Sequence, residues 1–449
     1  MDTIHEPERD IPVVHEADVV VIGGGCTGVF AAVRAARLGM RVAIVEKQNC
    51  FGGVATAGIV NVWHSLYDTT GTQQIIGGLT VEALDRLRKR DAVRESPDRL
   101  AAFWLNTEEL KIDLDELITE SQIQPFLHTF YAAPILSDGR LDAVVIENKN
   151  GRQAIRARQF VDATGDGDVA RSIGVPLRAA GPLQPPTTCA KILGMNSLDG
   201  FDWQAALRQH GPEFGLGQDW GWGGAIPGLP DVQMRADTHV FDTDVADAGQ
   251  LTHAEIDGRR RVRAIMDLIR TYGPPESHIA LADLAATLGG RESQRMVARR
   301  QLTDDDLLAG RCYTDGIANG TYPVDIHHSD EPGITFRHLD GREFVIRQSG
   351  LAPEAGRWRD PLPGGDPTFY QIPFGCLVQE TVPNLALSGR MLDADKIAFS
   401  AVRVMVNMNQ TGEAAGVACA LAVDGGGDVC DVEPERLRNT LAAGGSIVL

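Results

Sequence analysis

The residues of this 449-residue chain best suited to acid–base chemistry lie in the segment YPVDIHH, which begins at Tyr322. In an extended strand Asp325 and His327 share one face, whereas His328 points to the other. Asp325 would then orient His327 and raise its basicity, so that His327 could accept the proton of a substrate O–H or N–H group. A structural histidine held by a carboxylate fits the same pattern equally well. His327 and His328 are not expected to share a metal, because neighbouring side chains on a strand diverge.

A second set of residues could bind a nucleotide, because Gly23, Gly25 and Gly28 form the pattern G-x-G-x-x-G. The apolar run DVVVI precedes these glycines and predicts a buried strand, and the residues after them predict a helix that ends at Gly39. Glycines at such a turn permit a tight bend, close approach of a pyrophosphate, and close packing of helix on strand. The unpaired N–H groups at the start of the helix would hold the phosphates.

The second predicted strand ends in a carboxylate that suits a ribose. It reads RVAIV from Arg41 and is followed by Glu46, 18 residues beyond Gly28. Glu46 would accept hydrogen bonds from the ribose hydroxyls and would repel a 2′-phosphate. Strand, glycine turn, helix, strand and acid in this order predict a dinucleotide-binding unit that disfavours NADP.

Three further features favour FAD over NAD. The pair Gly52-Gly53, soon after the second strand, would let the chain turn back along the dinucleotide. Residues 124–163 read as a series of short strands separated by the turns DG and KNG. The C-terminal segment carries a helix rich in small residues, such as Gly412, which would allow either a flat ring or a second backbone to approach.

These segments, in this order, resemble the FAD-dependent oxidoreductase family of the glutathione-reductase-like flavoproteins, whose better-known relatives include fumarate reductases. The resemblance is carried by VVIGGGCTGVFAAVRAARLGMRVAIVEK, FGGVATAG, VDATGDGDVA, LGGRESQRMV, YPVDIHHS and IPFGCLV with the helix beyond it, and it touches about two thirds of the chain. The family usually has Ala or Pro where this chain has Cys26, a change that leaves the glycines intact. The resemblance implies FAD as the cofactor.

The resemblance also implies which residues would hold FAD. The ADP half would lie on the glycine turn, and the rest of the cofactor would pass the ATG segment and the Gly-Arg pair near the C-terminus. The expected cofactor-binding residues are Gly23, Gly25, Cys26, Thr27, Gly28, Glu46, Lys47, Gly52, Gly53, Ala163, Thr164, Gly165, Gly389, Arg390 and Arg403. The start of the C-terminal helix would point at the flavin ring and stabilise an anionic reduced form.

Two further side chains could contact a substrate beside the flavin. His64, in WHSLY, could serve as an acid–base group or as a covalent flavin anchor, although a packed or solvated loop histidine is the more ordinary interpretation. Tyr370 could hydrogen-bond a substrate near the flavin N5. A structural role as a tyrosine buried in the core is an equally good interpretation. With His327 and Asp325 these residues complete the candidate catalytic set.

Arginine and tryptophan side chains could shape the substrate pocket. Arg291 and Arg295 lie four apart in LGGRESQRMV, which we interpret as a helix, so they would share a face and suit a carboxylate. With Glu292 between them, an intrachain salt bridge is the favoured interpretation. Trp220 and Trp222 lie in a Gly-rich loop that would either cap the pocket or form a buried turn.

The predicted fold is α/β: a Rossmann-like FAD-binding domain, with a parallel sheet and a βββ crossover, into which an α+β substrate domain is inserted. Residues 1–195 and 371–449 would form the FAD-binding domain, and residues 196–370, which lack βαβ rhythm, the substrate domain. Gly165-x-Gly167 repeats part of the nucleotide pattern, but no second strand ending in an acid follows, so an NAD(P)H domain is not expected.

Composition narrows the partners and the compartment. The formal charge of −19, from 42 basic and 61 acidic residues, argues against nucleic acid and anionic membranes. The sequence has no apolar run long enough for a membrane span, and its acidic start differs from a signal peptide. Seven scattered cysteines without a C-x-x-C pair predict reduced thiols in the cytoplasm, with neither a thiolate zinc site nor a redox dithiol. A homo-oligomer is compatible with the sequence.

The expected function is therefore FAD-dependent dehydrogenation of a small molecule, as a dehydrogenase or oxidase, with hydride transfer to the flavin N5. Electrons would pass on to oxygen, a quinone or a redox protein. The alternative from a different class is a flavin-binding protein without net redox turnover, with a structural, isomerase or partner-recognition role.

Overall fold

The structure, a computed structural model, describes residues 2–98, 102–178, 181–217, 221–348 and 350–449. The strands are β1 (Val13–Glu16), β2 (Val19–Ile22), β3 (Val42–Val45), β4 (Val62–Trp63), β5 (Val93–Glu95), β6 (Phe103–Leu105), β7 (Gln124–Phe126), β8 (Phe130–Ser137), β9 (Arg140–Asn148), β10 (Gly151–Arg156), β11 (Gln159–Asp162), β12 (Ala190–Leu193), β13 (Trp222–Ile226), β14 (Leu229–Ala236), β15 (Ala280–Leu284), β16 (Gly316–Gly320), β17 (Val324–His327), β18 (Ile334–Arg337), β19 (Arg342–Ile346), β20 (Glu354–Arg357), β21 (Tyr370–Pro373) and β22 (Leu385–Leu387). The helices are α1 (Cys26–Arg37), α2 (Gly78–Arg88), α3 (Thr107–Glu120), α4 (Asp168–Ser172), α5 (Trp203–His210), α6 (Ala248–Tyr272), α7 (Asp304–Leu308), α8 (Lys396–Val402), α9 (Met405–Gly425) and α10 (Pro434–Ala443).

A five-stranded parallel sheet with the order β22-β11-β2-β3-β7 forms the centre of the fold. Its middle strands, VVVI in β2 and VAIV in β3, are buried at every position, as expected of parallel strands covered on both faces. Val19 and Val21 belong to the core shared with α1 and α9, whereas Val20 and Ile22 belong to the core shared with β9 and β10. The predicted α/β fold with a parallel sheet is confirmed.

The strand-rich stretch between β7 and β11 forms the predicted βββ crossover. β8, β9 and β10 pair antiparallel, and β1 joins the sheet in parallel with β10. Apolar side chains of β9 and β10 cover one face of the parallel sheet. The crossover therefore supplies the second cover that the buried strands β2 and β3 require.

Helices α1 and α9 pack in close contact on the other face. A Cβ atom added at Gly412 would lie 2.1 Å from the carbonyl oxygen of Thr27, and one at Gly416 would lie 2.0 Å from that of Ala31. Such distances are well below van der Waals contact, so these positions accept only glycine. The small residues of α9 were expected to allow the approach of either a flat ring or a second backbone. At Gly412 and Gly416 it is the backbone of α1 that approaches.

The remaining strands form smaller sheets around this centre. One has the order β13-β14-β12-β15 and packs on α5 and α6, another runs from β17 to β20 in chain order, a third has the order β4-β6-β5, and β16 pairs with β21. Strand β12 pairs with β14 and β15 although it precedes residue 196. The three-part division of the chain by residue number stays a prediction. Within the described ranges, no helix is both long and apolar enough to cross a membrane.

The structure corrects one predicted element, because the segment LGGRESQRMV is not helical. Its backbone groups bond to other segments instead; the N–H of Met296, for example, donates to the carbonyl of Met391 at 2.9 Å. The segment is extended because its backbone N–H and C=O groups form hydrogen bonds with neighbouring segments. These tertiary contacts outweigh the local preference for a helix. Arg295 lies 3.4 Å from Glu292, in agreement with the favoured salt bridge, whereas Arg291 reaches a cavity described below.

Candidate active site

The glycine turn between β2 and α1 brings strand, helix and the ATG segment into contact. Gly23 has φ +100°, and a Cβ atom there would lie 2.3 Å from the carbonyl oxygen of Ala163. A Cβ atom at Gly28 would lie 1.9 Å from the carbonyl oxygen of Gly23. Both positions therefore exclude side chains for structural reasons, and Gly28 holds the helix against the strand.

Gly25 differs from its neighbours, because a Cβ atom there would meet no described atom within 4 Å. Gly25 is the N-cap of α1, with φ −60° and no capping side chain, so the first N–H groups of the helix face open space. Gly52 pairs with this turn by donating its N–H to the carbonyl of Gly24 at 2.8 Å. The glycine pair thus turns back along the nucleotide motif, as predicted.

Two carboxylates organise the chain on either side of the turn. Glu46 is 6% exposed and accepts hydrogen bonds from the N–H of Gly24 at 2.6 Å and of Gln48 at 2.7 Å. Asp162, at the end of β11, accepts four hydrogen bonds from the Thr164 hydroxyl and nearby backbone N–H groups. Burial raises the pKa of Asp162 to about 6 although these hydrogen bonds act in the opposite direction. Asp162 therefore fixes the ATG segment, a role that we did not predict.

A cavity of about 320 Å³, which we call the cradle cavity, opens in front of these elements. It is lined by the turn after β2, the ends of β3 and β11, and the N-terminal turn of α9. Every predicted cofactor-binding residue except Gly28 lines it: Gly23, Gly25, Cys26, Thr27, Glu46, Lys47, Gly52, Gly53, Ala163, Thr164, Gly165, Gly389, Arg390 and Arg403. The structure thus brings together residues that are up to 380 positions apart, from Gly23 to Arg403.

The cradle cavity has the groups that a dinucleotide requires. The uncapped start of α1 offers N–H donors and the positive end of a helix dipole to a pyrophosphate. Asn409, near the start of α9, is fully buried, and its Oδ1 has no hydrogen-bond partner among the described residues. Buried polar atoms are normally paired, so Asn409 is suited to a ligand group that donates a hydrogen bond. These observations fit FAD.

A second cavity of about 360 Å³ adjoins the first, and we call it the histidine cavity. His64, Asp325 and His327 line it, together with Arg291 and several apolar side chains. The two cavities share the lining residues Val54, Gly290, Arg390, Arg403 and Met405. A molecule in the histidine cavity would therefore lie next to one in the cradle cavity.

Asp325 is the centre of a hydrogen-bonded cluster. Its Oδ2 accepts from the Tyr322 hydroxyl at 2.9 Å and from Arg403 Nη2 at 3.0 Å. Its Oδ1 lies 3.4 Å from His327 Nε2 but has no hydrogen-bond partner within the described chain. Burial raises the pKa of Asp325, but the electrostatic influence of the neighbouring His327 and of the Arg403 guanidinium outweighs burial and lowers it below its usual range. Asp325 is therefore ionised at neutral pH.

His327 contacts Asp325 on one side and a second histidine on the other. Its Nδ1 lies 2.8 Å from Nε2 of His239, and its backbone N–H donates to Gln184. Burial, together with the positive charge of Arg291, lowers the pKa of His327 well below its usual range. Because an ionised Asp325 favours an N–H at Nε2 of His327, Nδ1 of His327 accepts from Nε2 of His239. Both ring nitrogens thus face protein partners.

His64 presents its ring to the same cavity in a different way. Its ring lies against that of Tyr322, with the centroids 3.9 Å apart and the ring planes tilted by 35°, and it forms no hydrogen bond with the described residues. Burial lowers the pKa of His64 to about 4, although the charge of Asp325 acts in the opposite direction. His64 is therefore neutral at neutral pH, and its ring nitrogens are available to a ligand.

The structure does not bring Tyr370 to either cavity, which corrects its prediction as a substrate contact. Its side chain is fully buried, and its hydroxyl donates toward the carbonyls of Tyr322 and Ala401 and accepts from Asn407 at 3.0 Å. These contacts agree with the alternative interpretation of Tyr370 as a structural residue of the core. Of the two loop tryptophans, Trp222 lines the histidine cavity, and Trp220 lies outside the described residues.

Several residues of the site were not identified from the sequence. His239 lies 88 positions before His327, and Trp104 reaches the histidine cavity from β6. Neither residue stands in a recognisable motif. Asp162 had a local signal, because an acid at the end of a buried strand directly before a Thr-Gly turn is placed to cap that turn.

The parallel sheet, glycine turn and cradle cavity define an α/β protein built to bind a dinucleotide, with a second cavity beside it. Comparison with known proteins identifies the family. Residues 18–441 match the sequence model of the family described as FAD dependent oxidoreductase. The chain belongs to this family, and it is an enzyme with FAD as its cofactor.

More distant relatives match only part of the chain. A soluble pyridine nucleotide transhydrogenase from Chromohalobacter salexigens is 31% identical over 34% of this chain and 31% of its own length. A dihydrolipoyl dehydrogenase from Trypanosoma brucei brucei is 25% identical over 35% of this chain and 32% of its own length. The matches therefore span about a third of these curated relatives.

Among solved structures, a geranylgeranyl bacteriochlorophyll reductase-like protein from Thermoplasma acidophilum aligns over 96% of this chain and 83% of its own. The sequence identity is 11% and the TM-score is 0.44.

Proposed function

We propose that this enzyme oxidises a small molecule held in the histidine cavity, with FAD in the cradle cavity as the electron acceptor. The observation that carries the proposal is the junction of the two cavities at Val54, Gly290, Arg390, Arg403 and Met405. When bound, FAD supplies a two-electron acceptor whose N5 position takes up a hydride. The apolar walls of the histidine cavity would exclude water from the reacting groups.

His64 is the residue best placed to take the proton that the substrate loses. It lines the histidine cavity and is neutral at neutral pH, so it can accept a proton from a substrate O–H or N–H group. The electron pair left on oxygen or nitrogen then forms the double bond to carbon as the hydride departs. His64 replaces our first choice, His327, because both ring nitrogens of His327 face Asp325 and His239.

In this proposal His327 and Asp325 have supporting roles. Asp325 would position Arg403 and accept a hydrogen bond from the substrate through Oδ1. His327, fixed by His239, would hold the Asp325 carboxylate in place. Electrons would leave the enzyme for oxygen, a quinone or another redox protein.

Anaerobic mixing of the FAD-loaded protein with a panel of small alcohols, amines and hydroxy acids tests the proposal. We expect at least one compound to bleach the visible flavin absorbance in a saturable manner, because bleaching requires electron transfer to the flavin. A flavin-binding protein without redox turnover would keep its absorbance with every compound. Reduction by dithionite serves as the positive control, since it shows that the bound flavin can be bleached.

A further inference from the structure

An exposed aromatic side chain lines the cradle cavity at the start of β8. Phe130 is 59% exposed, and it is one of the residues that form the wall of this cavity. Folded proteins commonly expose single apolar side chains, so the exposure of Phe130 does not by itself indicate a function. A large apolar ring in the wall of a ligand cavity is different, because a bound ligand can cover it.

The start of β8 is fixed beside the carboxylate that is expected to meet the ribose. The N–H of Thr129 donates to the carbonyl of Glu46 at 3.0 Å. The N–H of His128 donates to the carbonyl of Gln48, also at 3.0 Å. His128 has φ +49°, an uncommon conformation for a residue with a side chain, and these two hydrogen bonds hold the turn that leads into β8. Phe130 therefore follows directly on a segment that is bonded to the end of β3.

The order of the groups within FAD determines which of them reaches Phe130. The pyrophosphate belongs at the start of α1 beside Gly25, and the ribose belongs at Glu46. The pyrophosphate is joined to C5′ of the ribose and the adenine to C1′, so the base continues past Glu46 and away from Gly25. The cavity wall next to Glu46 includes Gln48 and Phe130. Adenine is therefore the part of the cofactor that meets Phe130.

Aliphatic side chains from another part of the chain line the same cavity. Val245 and Leu251, before and within α6, belong to its wall. Helix α4 connects their segment to β8, because α4 packs against β8 and Arg171 of α4 donates to the carbonyl of Ala246 at 3.3 Å. A flat, weakly polar base suits apolar walls of this kind better than a phosphate does.

We propose that the adenine of FAD stacks on the ring of Phe130. The backbone of Phe130 belongs to β8, so the ring is presented from a regular strand, and stacking covers much of its exposed apolar surface. The contact is specific for the adenosine half of the cofactor, which FMN lacks. This inference concerns cofactor recognition and does not depend on the proposed function.

Calorimetric titration of the full-length apoprotein with FAD and with FMN tests the proposal. Phe130→Ala should weaken FAD binding about tenfold or more, because stacking of a base on an aromatic side chain usually contributes this much. The affinity for FMN should stay as in the wild type. Unchanged affinity for FAD would overturn the proposal. An equal loss of affinity for FAD and FMN would also overturn it, because the substitution would then act on the whole cavity.

Two further variants of β8 complete the experiment. Phe130→Tyr keeps the aromatic ring and should bind FAD like the wild type. Leu136→Ala is the matched control, because Leu136 is 48% exposed on the same strand and is not among the described residues that line the cradle cavity. A loss of FAD affinity in either variant as large as that of Phe130→Ala would contradict stacking on the ring. Should FMN bind too weakly to measure, these two variants and the FAD affinity of Phe130→Ala decide alone.

Discussion

The cradle cavity is lined mainly by backbone and small residues at the ends of parallel strands, whereas the histidine cavity is lined by large side chains from separate segments. Gly23, Gly25 and Glu46 lie within 24 positions of one another, but His64, Trp222 and His327, which line the histidine cavity, are spread over 264. A backbone cradle suits phosphates and ribose, which are common to all dinucleotides. Side chains define the histidine cavity, so its chemistry can differ between proteins that share this fold.

The difference shows which substitutions act on binding and which act on chemistry. In the cradle cavity, a single added methyl group can block a ligand without removing any protein contact. In the histidine cavity, the loss of one side chain removes a functional group while FAD stays bound. The following predictions test that contrast, from the largest expected effect to the smallest.

Gly25→Val should abolish FAD retention. The new side chain would point into the open space at the start of α1, where it meets no described atom, and φ −60° is accessible to valine. The ratio of flavin to protein absorbance should fall to background, while the melting temperature of the apoprotein stays the same. Gly364→Val, in an exposed turn, is the control and should keep its flavin. A fully loaded Gly25→Val protein would contradict the position of the cofactor.

His64→Ala should slow flavin reduction by about 10²–10⁴-fold, the usual contribution of an acid–base residue, without loss of FAD. Because burial lowers the pKa of His64 to about 4, the neutral base persists from neutral pH downward. In the wild type the reductive rate should therefore fall only as the pH drops through about 4, as measured by anaerobic stopped-flow. His253→Ala, on the exposed face of α6, is the control. A transition near pH 6.5 would show that another histidine acts as the base.

Gly416→Ala should destabilise the framework beneath the cradle cavity. Its Cβ atom would lie 2.0 Å from the carbonyl oxygen of Ala31, so α1 and α9 must separate, at a cost of about 1–3 kcal/mol in the free energy of unfolding. Gly425→Ala, at the end of the same helix, meets only Arg436 at 4.0 Å and should be neutral or slightly stabilising. Urea unfolding of the two variants measures the difference. Equal stability would show that the helices are not held together at Gly416.

Tyr370→Phe should have the smallest effect on catalysis. Removal of the hydroxyl breaks its contacts with Tyr322, Ala401 and Asn407 and should cost about 0.5–1.5 kcal/mol of stability. The reductive rate and the substrate affinity should stay as in the wild type. A tenfold slower reduction with unchanged stability would restore Tyr370 as a substrate contact.

The sequence predicted the parallel sheet, the crossover and nearly all of the cradle cavity because their signals are local. The turn from Gly23 to Gly28 and the acid at Glu46 each follow a strand within a few positions. The histidine cavity was predicted only in part. The partnership of His327 with His239 depends on tertiary contacts, and the helix expected at Arg291 gave way to an extended segment for the same reason.

A crystal structure of the FAD-loaded protein would test the central claim most directly. The account predicts density for the adenine and ribose beside Glu46, for the pyrophosphate at Gly25, and for the isoalloxazine at the residues that both cavities share, with His64 and Asp325 facing that ring across the histidine cavity. Density that places the isoalloxazine away from Arg403 and Met405, so that the histidine cavity does not adjoin it, would contradict the account.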